Sequence, residues 1–242
     1  MEIDKDRLSK NLEGVRERIS RAVEKSGRKS GEVRLVAVSK TKPAELIQAA
    51  LLMGQYDFGE NYAQELRDKA ALITDPRVRW HFIGSLQRNK VKYLAGKVVM
   101  IHSIDSRSLI EEVDKRAKSQ GIKVPVLLEV KLSEEETKTG IDPGGLVLLA
   151  ESALGARSVE LMGLMTMPPY FPDPEQSRPY YVRLRKIKED LEKRLNQSLS
   201  ELSMGMSGDF AVAIEEGATI VRVGTAIFGE REQWKVSMAS SA

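Results

Sequence analysis

The chain has 242 residues, 41% of them hydrophobic, so it is long enough to bury the core of one large α/β domain or of two small ones. Its 38 basic and 35 acidic residues leave a formal net charge of +3, which is too near balance to predict a nucleic-acid partner. The sequence has no cysteine and only two histidines, His81 and His102, which excludes disulfides and a cysteine nucleophile and gives little basis for a metal site.

The N-terminal region is charged from Glu2 onward and does not have the pattern of a signal peptide. No apolar run in the sequence approaches the ~18 residues that a membrane-spanning helix requires. We therefore expect a soluble cytoplasmic protein that has no membrane partner.

An apolar stripe at helical spacing opens the chain and predicts an amphipathic helix that ends near Gly27. The stripe consists of Leu8, Leu12, Val15, Ile19 and Val23. From Val33 onward, short β-rich runs alternate with helical stretches. The runs that predict strands are Leu35 to Ser39, Tyr56 to Gly59, Arg79 to Gly84, Val98 to Ile104, Val124 to Lys131, Glu160 to Met165, Glu201 to Met204 and Thr219 to Gly224.

Strands that alternate with helices pair in parallel, and eight of them in a chain of this length favour a single (β/α)₈ TIM barrel of the α/β class. The N-terminal helix is then an extra element that caps or flanks the barrel. An open doubly wound sheet is the alternative, but no G-x-G-x-x-G follows the first predicted strand. We expect one barrel domain over residues 1–232 and a flexible C-terminal tail over residues 233–242.

One stretch of the sequence, "MPPYFPDPEQSRP" from Met167 to Pro179, is too rich in proline to form regular structure. It predicts a long loop after the sixth strand. Active sites of TIM barrels lie at the C-terminal ends of the strands, so this loop belongs to the face where a site is expected.

The first predicted strand lies in "VRLVAVSKTKP", an apolar run that is followed at once by Lys40. Strand alternation places Lys40 on the same face as Val36 and Val38. A lysine amine among apolar neighbours loses solvation of its charged form, which favours the neutral amine that forms Schiff bases with carbonyl groups. Position alone favours an alternative, in which Lys40 extends to solvent or forms a structural ion pair with Glu60 or Glu129.

Two stretches near the end of the chain, "GMSGDF" and "VRVGTAIFG", follow the seventh and eighth predicted strands, where barrels commonly bind phosphate. Ser207 can cap a helix that starts near Asp209, and its hydroxyl, with the backbone N–H groups of Gly224 and Thr225, can form an anion site. Each feature alone is also an ordinary helix cap or turn. With an amine on the neighbouring first strand, they suit a ligand that has both an aldehyde and a phosphate.

Arg222 lies on the eighth predicted strand, between two valines that point the other way. It can therefore reach the same pocket as Gly224 and donate to a ring nitrogen or to a phosphate. A guanidinium group that faces a pyridine nitrogen keeps this nitrogen unprotonated, which argues against carbanion chemistry. The alternative is a salt bridge between Arg222 and Glu60 or Glu129.

Several motifs occur in a fixed order from the first helix to about Gly229: "AVSKTKP", "FGENYAQE", "WHFIGSLQRNK", "LMGLMTMP" and "LSMGMSGDFAVAIEEGATIVRVGTAIFG". In this order they resemble the pyridoxal 5′-phosphate (PLP) homeostasis proteins, the YggS/PROSC group. The resemblance implies a single-domain barrel, similar to the N-terminal domain of alanine racemase, that binds PLP covalently. It implies that Lys40 holds PLP as a Schiff base, and that Ser207, Gly224 and Thr225 hold the phosphate.

The resemblance also implies positions for the cofactor ring. Arg222 is expected near the pyridine nitrogen, and Asn61 of "GENY" is expected beside the ring. His81 of "HFIG" matches the family, but the sequence assigns it no contact. Lys138 of "KTG" matches as well, and we interpret it as a solvated loop lysine beside an acidic run.

Two classes of function fit these residues. A PLP enzyme such as a racemase needs a second acid/base group, which alanine racemase takes from an additional β-domain. We expect no such domain here, and Tyr62, Tyr170 and Tyr180 are substitutes without a motif. We therefore favour a monomeric PLP carrier that serves PLP homeostasis and supplies apo PLP-dependent enzymes, without established turnover. A Schiff-base aldolase that uses no cofactor is a third alternative, weakened by a lysine on the first strand.

Overall fold

The structure is a computed structural model that describes residues 4–133 and 139–230. Strands and helices alternate along the chain as the sequence predicts. The strands are β1 (Arg34–Val38), β2 (Asp57–Glu60), β3 (Arg79–Phe82), β4 (Val98–Ile104), β5 (Val124–Glu129), β6 (Val159–Met165), β7 (Glu201–Ser203) and β8 (Ile220–Val223). The α-helices are α1 (Lys5–Lys25), α2 (Ala44–Leu52), α3 (Ala63–Leu72), α4 (Arg107–Ser119), α5 (Leu146–Gly155), α6 (Arg178–Leu195), α7 (Phe210–Glu215) and α8 (Thr225–Phe228).

The strands form a closed parallel barrel in sequence order, which confirms the predicted TIM barrel. The barrel closes where β1 pairs with β8, with Val36 opposite Arg222. Between β3 and β4 the connection is a 3₁₀-helix over Arg88–Tyr93 in place of an α-helix. Closure therefore brings the ends of the first and last strands together, as the predicted site requires.

The barrel separates two apolar layers because successive side chains of a strand point to opposite faces. The outward-facing residues pack against the helices and form the large core. A small inner cluster fills the barrel itself, with Val36, Met100, Leu127, Met165 and Ile220 as its buried members. Other buried positions of the strands have polar side chains, among them His81, His102 and Arg222.

Helix α1 is the predicted extra element, and it flanks the barrel. The Asp4 side chain accepts a hydrogen bond from the N–H of Arg7 and caps the helix, and the predicted apolar stripe is buried. The helix packs mainly on α7 and α8, where Asn11 Nδ2 donates to the carbonyl oxygen of Ile227 at 2.9 Å. It thus holds the last two helices, which follow the strands of the proposed phosphate site.

The predicted irregular loop connects β6 to α6 and contains only a short 3₁₀ turn, Pro174–Ser177. It follows the C-terminal end of β6 and therefore lies on the expected face of the barrel. Lys138 and the predicted tail over residues 233–242 lie outside the described residues. Within residues 4–133 and 139–230, no helix is long and apolar enough to cross a membrane.

Candidate functional site

Lys40 lies in the turn that follows β1, at the C-terminal end of the barrel, and its side chain is half-buried. The strand ends at Val38 because the chain turns here: the N–H of Lys42 donates to the carbonyl oxygen of Ser39 at 3.0 Å. Thr41 has a positive φ of 63° within this turn, and its N–H donates to a carboxylate oxygen of Glu65 at 2.6 Å. Lys40 is thus on a short turn held by α3.

Lys42, the other lysine of this segment, donates from Nζ to the carbonyl oxygen of Glu230 at 2.9 Å. Its amine is therefore tied to the chain that follows α8. The two lysines of this segment therefore have different surroundings, and the assignment of ligand chemistry to Lys40 stays a prediction.

Asn61 follows β2 at the same end of the barrel, and its Oδ1 atom is buried. Among the residues that the structure describes, none donates a hydrogen bond to this oxygen. The backbone of Asn61 is held close to β3, since a Cβ atom on Gly84 would lie 2.3 Å from the carbonyl oxygen of Asn61. Glycine at position 84 therefore lets the backbone of Asn61 approach β3 closely.

Ser207 joins the ends of β7 and β8. Its Oγ accepts hydrogen bonds from the N–H groups of Gly224 at 3.2 Å and Ala226 at 3.3 Å, at the start of α8. The expectation that Ser207 caps the helix near Asp209 is wrong, because α7 begins at Phe210 with Asp209 as its N-cap. The structure nevertheless brings Ser207 and Gly224 into contact, as the predicted anion site requires.

Gly224 and Thr225 form the junction between β8 and α8. A Cβ atom on Gly224 would lie 3.3 Å from the Cβ of Val38, so glycine lets β8 approach the end of β1 closely. Thr225 is the first residue of α8 and is exposed. The backbone N–H groups at this junction are thus within reach of a ligand near Val38.

Arg222 points into the barrel, as strand parity predicts, and is 3% exposed. Its Nη1 donates to Ser203 Oγ at 2.6 Å, and its Nη2 donates to the carbonyl oxygen of Thr166 at 2.9 Å. Burial lowers the pKa of the Arg222 guanidinium, whereas the nearby charge of Glu129 opposes this change. Both partners hold the guanidinium group in place within the barrel.

The alternative in which Arg222 pairs with Glu60 is wrong, because Glu60 lies on the outer face of β2. There its Oε1 accepts hydrogen bonds from Ser39 Oγ and from Lys69 Nζ of α3, each at 2.7 Å. Burial raises the pKa of the Glu60 carboxyl, although the charge of Lys69 opposes this effect. Glu129 is buried on β5 and accepts a hydrogen bond from Thr139 Oγ1 at 2.8 Å.

A row of buried polar side chains extends from Arg222 along the barrel axis, and sequence reasoning missed it. Ser203 Oγ lies 2.9 Å from His102 Nδ1, and His102 Nε2 lies 2.9 Å from His81 Nδ1. His81 Nε2 then lies 3.0 Å from Asp57 Oδ1. Polar residues at inward positions of the predicted strands were the available signal, but the contacts depend on register across the barrel.

The protonation states of this row follow from burial and hydrogen bonding. Burial lowers the pKa of His81 and lowers the pKa of His102 further below the ordinary value, so both imidazoles are neutral at pH 7. Burial opposes ionisation of Asp57, but hydrogen bonds from Arg79 and His81 outweigh it and lower the pKa to about 2. The row therefore has one carboxylate at one end and one guanidinium group at the other.

The tyrosines considered as a second acid/base group lie apart from this row. Tyr62 precedes α3 and is 55% exposed, and Tyr170 in the loop after β6 is 84% exposed. Tyr180 is on α6, where its ring lies 5.8 Å from the ring of Phe171. The structure gives none of them a contact with Arg222 or Asn61 in the hydrogen bonds of the described residues.

The fold and site define a (β/α)₈ barrel protein with a lysine, a buried guanidinium group and backbone N–H donors at one end of the barrel. The family described as alanine racemase, N-terminal domain, matches residues 3–232. A relative from Aquifex aeolicus, named pyridoxal phosphate homeostasis protein, is 49% identical over 221 residues, which is 91% of this chain and 97% of the relative. A human relative of the same name is 39% identical and covers 93% of this chain and 86% of its own length.

Solved structures agree with these relatives. PipY of Synechococcus elongatus, solved with PLP bound, has a TM-score of 0.82 and 34% identity, and the match covers 92% of this chain and 100% of PipY. A Clostridium difficile alanine racemase has a TM-score of 0.71 at 15% identity, over 96% of this chain and 62% of the enzyme, which shows the shared barrel fold. The chain belongs to the pyridoxal phosphate homeostasis protein family, whose barrel is that of the alanine racemase N-terminal domain.

Proposed function

We propose that this protein binds PLP at the C-terminal end of the barrel, holds it as a Schiff base on Lys40 and serves PLP homeostasis in the cytoplasm. The observation that carries the proposal is the PLP-bound structure of PipY, which is 34% identical to this chain over 92% of its length. PLP supplies an aldehyde that condenses with a lysine amine and a phosphate that needs hydrogen-bond donors.

The residues present fit PLP in charge and in hydrogen-bonding capacity. The N–H of Gly224, which donates to Ser207 Oγ in this structure, and the N–H of Thr225 are donors for the phosphate. The buried Oδ1 of Asn61 is an acceptor without a partner among the described residues, as expected of a group that contacts a polar ring substituent. These features support the proposal that Ser207, Gly224, Thr225 and Asn61 bind the cofactor.

Arg222 is the group that we propose to face the pyridine nitrogen. A guanidinium group has no lone pair to offer and keeps its protons, so it donates to the ring nitrogen and leaves it unprotonated. An unprotonated ring withdraws electrons poorly, which disfavours carbanion chemistry. This argues against transamination, and the buried position of Arg222 keeps its guanidinium group inside the barrel.

As a carrier, the protein would bind free PLP and pass it to apo PLP-dependent enzymes as a monomer. A racemase-like activity is the alternative, and it needs a second acid/base group opposite the lysine. Tyr62 and Tyr170 are more than half exposed, which makes them poor candidates for a group held beside a buried ligand. We therefore propose binding and release as the activity of the site.

The proposal is tested by titrating the purified protein with PLP and recording the absorbance band of the Schiff base. We expect the band in the wild type and in the matched control Lys42→Ala, because Lys42 Nζ bonds to the carbonyl oxygen of Glu230. The band should be lost in Lys40→Ala while circular dichroism shows a folded barrel. A band that persists in Lys40→Ala would contradict the assignment.

Carrier and enzyme are separated by two further measurements on the loaded protein. Addition of an apo aminotransferase should restore the transaminase activity as PLP is transferred. Incubation with L-alanine should give neither D-alanine nor pyruvate at multiple turnovers. Sustained production of D-alanine would replace the carrier proposal with the racemase alternative.

A further inference from the structure

The buried row along the barrel axis connects Arg222 to the opposite end of the barrel. It runs from Arg222 through Ser203, His102 and His81 to Asp57, with donor–acceptor distances between 2.6 Å and 3.0 Å. All five residues are at most 4% exposed. Because each contact is within hydrogen-bonding distance, each needs one hydrogen between its two atoms.

The direction of the hydrogen bonds is set first at the Asp57 end. Asp57 is an acceptor only, since its carboxylate receives the Nε–H of Arg79 at 2.8 Å and is also paired with the Nη2 of Arg79. His81 Nε2 must therefore carry a hydrogen and donate it to Asp57. A neutral His81 then has a bare Nδ1, which accepts from His102 Nε2–H.

The direction is set independently at the Arg222 end. A guanidinium group can only donate, so Ser203 Oγ accepts from Arg222. The Ser203 hydroxyl has one hydrogen, and the bare Nδ1 of a neutral His102 accepts it. The two ends thus require the same arrangement, in which every hydrogen points from Arg222 toward Asp57.

The opposite arrangement is excluded by the same contacts. If His102 carried its hydrogen on Nδ1, its Nε2 would need a hydrogen from His81 Nδ1. A neutral His81 would then present a bare Nε2 to the Asp57 carboxylate, which places two acceptors 3.0 Å apart without a hydrogen. The row therefore has one favourable proton arrangement when both histidines are neutral.

We propose that Ser203 is a positioning residue for Arg222, and that His102, His81 and Asp57 act together to keep its hydroxyl oxygen oriented as the acceptor for Arg222. With Nη1 fixed on Ser203 and Nη2 fixed on the Thr166 carbonyl oxygen, the guanidinium plane is fixed as well. The remaining N–H groups of Arg222 then point in fixed directions, because these two contacts prevent rotation of the guanidinium group. Where it concerns the ligand, this inference rests on the proposed function, in which Arg222 donates to the pyridine nitrogen.

The proton arrangement is tested in the PLP-free protein by ¹⁵N NMR of labelled histidines at pH 7. We expect both imidazoles to be neutral and to carry their hydrogen on Nε2, with N–H signals that exchange slowly with water because both rings are buried. A hydrogen on Nδ1 of either ring, or a doubly protonated ring, would overturn the inference. This measurement does not depend on whether the protein binds PLP.

The effect on the ligand is tested with Ser203→Ala, measured with PLP and with its 1-deaza analogue, in which a CH group replaces the ring nitrogen. We expect Ser203→Ala to weaken PLP binding about tenfold, because Arg222 loses one of its two fixed acceptors, and to change binding of the analogue less than twofold. The Ser203→Thr variant keeps the hydroxyl and should retain the wild-type ratio of the two affinities.

The outcomes separate this inference from the proposed function. Equal weakening of PLP and of the analogue by Ser203→Ala would overturn the positioning role, because a general loss of structure affects both ligands alike. The positioning role would also be overturned if the ratio of the affinity for PLP to the affinity for the analogue were as low in Ser203→Thr as in Ser203→Ala. If wild-type protein bound neither ligand, the proposed function would fail, whereas the NMR result would still stand.

Discussion

His102 provides a prediction about pH and stability, because it is buried completely inside the barrel. Burial holds the pKa of its imidazole well below the ordinary value, and the positive charge of Arg222 acts in the same direction. In the unfolded chain the pKa returns to about 6.5, so unfolding takes up a proton at any pH between the two values. The free energy of unfolding therefore falls as the pH drops below 6.5.

The magnitude follows from the unfolded pKa. Between pH 7.5 and pH 5.5, one histidine that stays neutral in the folded protein lowers the free energy of unfolding by about 1.4 kcal/mol. In His102→Asn this contribution disappears, because an amide does not titrate, although the variant is less stable at every pH. The amide keeps an acceptor and a donor for Ser203 and His81.

The assay is urea denaturation of both proteins at pH 5.5, 6.5 and 7.5. We expect the difference in unfolding free energy between wild type and His102→Asn to shrink by about 1.4 kcal/mol from pH 7.5 to pH 5.5. Groups that titrate alike in both proteins cancel in this difference. A difference that stays constant over this range would refute the conclusion that folded His102 is neutral.

Three further substitutions test the close approach of Gly84 to Asn61 and the buried carboxylates of Asp57 and Glu60. Gly84→Ala places a Cβ atom 2.3 Å from the carbonyl oxygen of Asn61, so we expect an unfolding free energy lower by about 2 kcal/mol and weaker PLP binding in a spectral titration. Burial opposes ionisation of Asp57, but its hydrogen bonds lower the pKa of the carboxyl group to about 2. The free energy of unfolding should therefore fall by about 2 kcal/mol between pH 4 and pH 2 in wild type, and this fall should be missing in Asp57→Asn. Lys69→Met leaves the buried carboxylate of Glu60 without its cation and should cost about 3 kcal/mol at pH 7 in urea denaturation. The cost should be smaller at pH 5, because burial raises the pKa of Glu60 and the carboxyl becomes neutral more readily.

Each of these three predictions has a result that would contradict it. Gly14→Ala is the matched control for Gly84→Ala, because a Cβ atom added at Gly14 in the middle of α1 meets nothing within 4 Å beyond the local backbone of its own helix. We expect this control to raise the free energy of unfolding by about 0.5–1 kcal/mol. Wild-type stability in Gly84→Ala would rule out the close approach. If wild type and Asp57→Asn lost stability in parallel between pH 4 and pH 2, the low pKa assigned to Asp57 would be contradicted. If the loss of unfolding free energy in Lys69→Met did not change with pH, the unpaired carboxylate of Glu60 would not be its source.

The barrel itself could be predicted because each strand and helix leaves a local pattern in the sequence. The pattern misplaces β1 by one residue, because the prediction runs from Leu35 to Ser39 whereas the strand covers Arg34–Val38. Ser39 has the alternation of a strand residue, but its carbonyl oxygen accepts the N–H of Lys42 and closes a turn. Such a turn depends on a backbone conformation, the positive φ of Thr41, that residue type does not predict.

Contacts across the barrel were predicted less completely. Ser207 was expected both to cap the helix near Asp209 and to lie beside Gly224, and only the contact with Gly224 is present. The two histidines were noted in the sequence, but their contact joins β3 and β4 through a register shift between Trp80 and His81. An irregularity of this kind moves an entire side-chain row, so local periodicity cannot locate it.

The central claim is that Lys40 carries PLP, and borohydride reduction followed by peptide mapping tests it most directly. The purified protein is incubated with PLP, reduced and digested, and the peptides are analysed by mass spectrometry. We predict one pyridoxyl group, on the peptide that contains Lys40, with no comparable label on Lys42. A label distributed over surface lysines, or its absence from Lys40, would contradict the account.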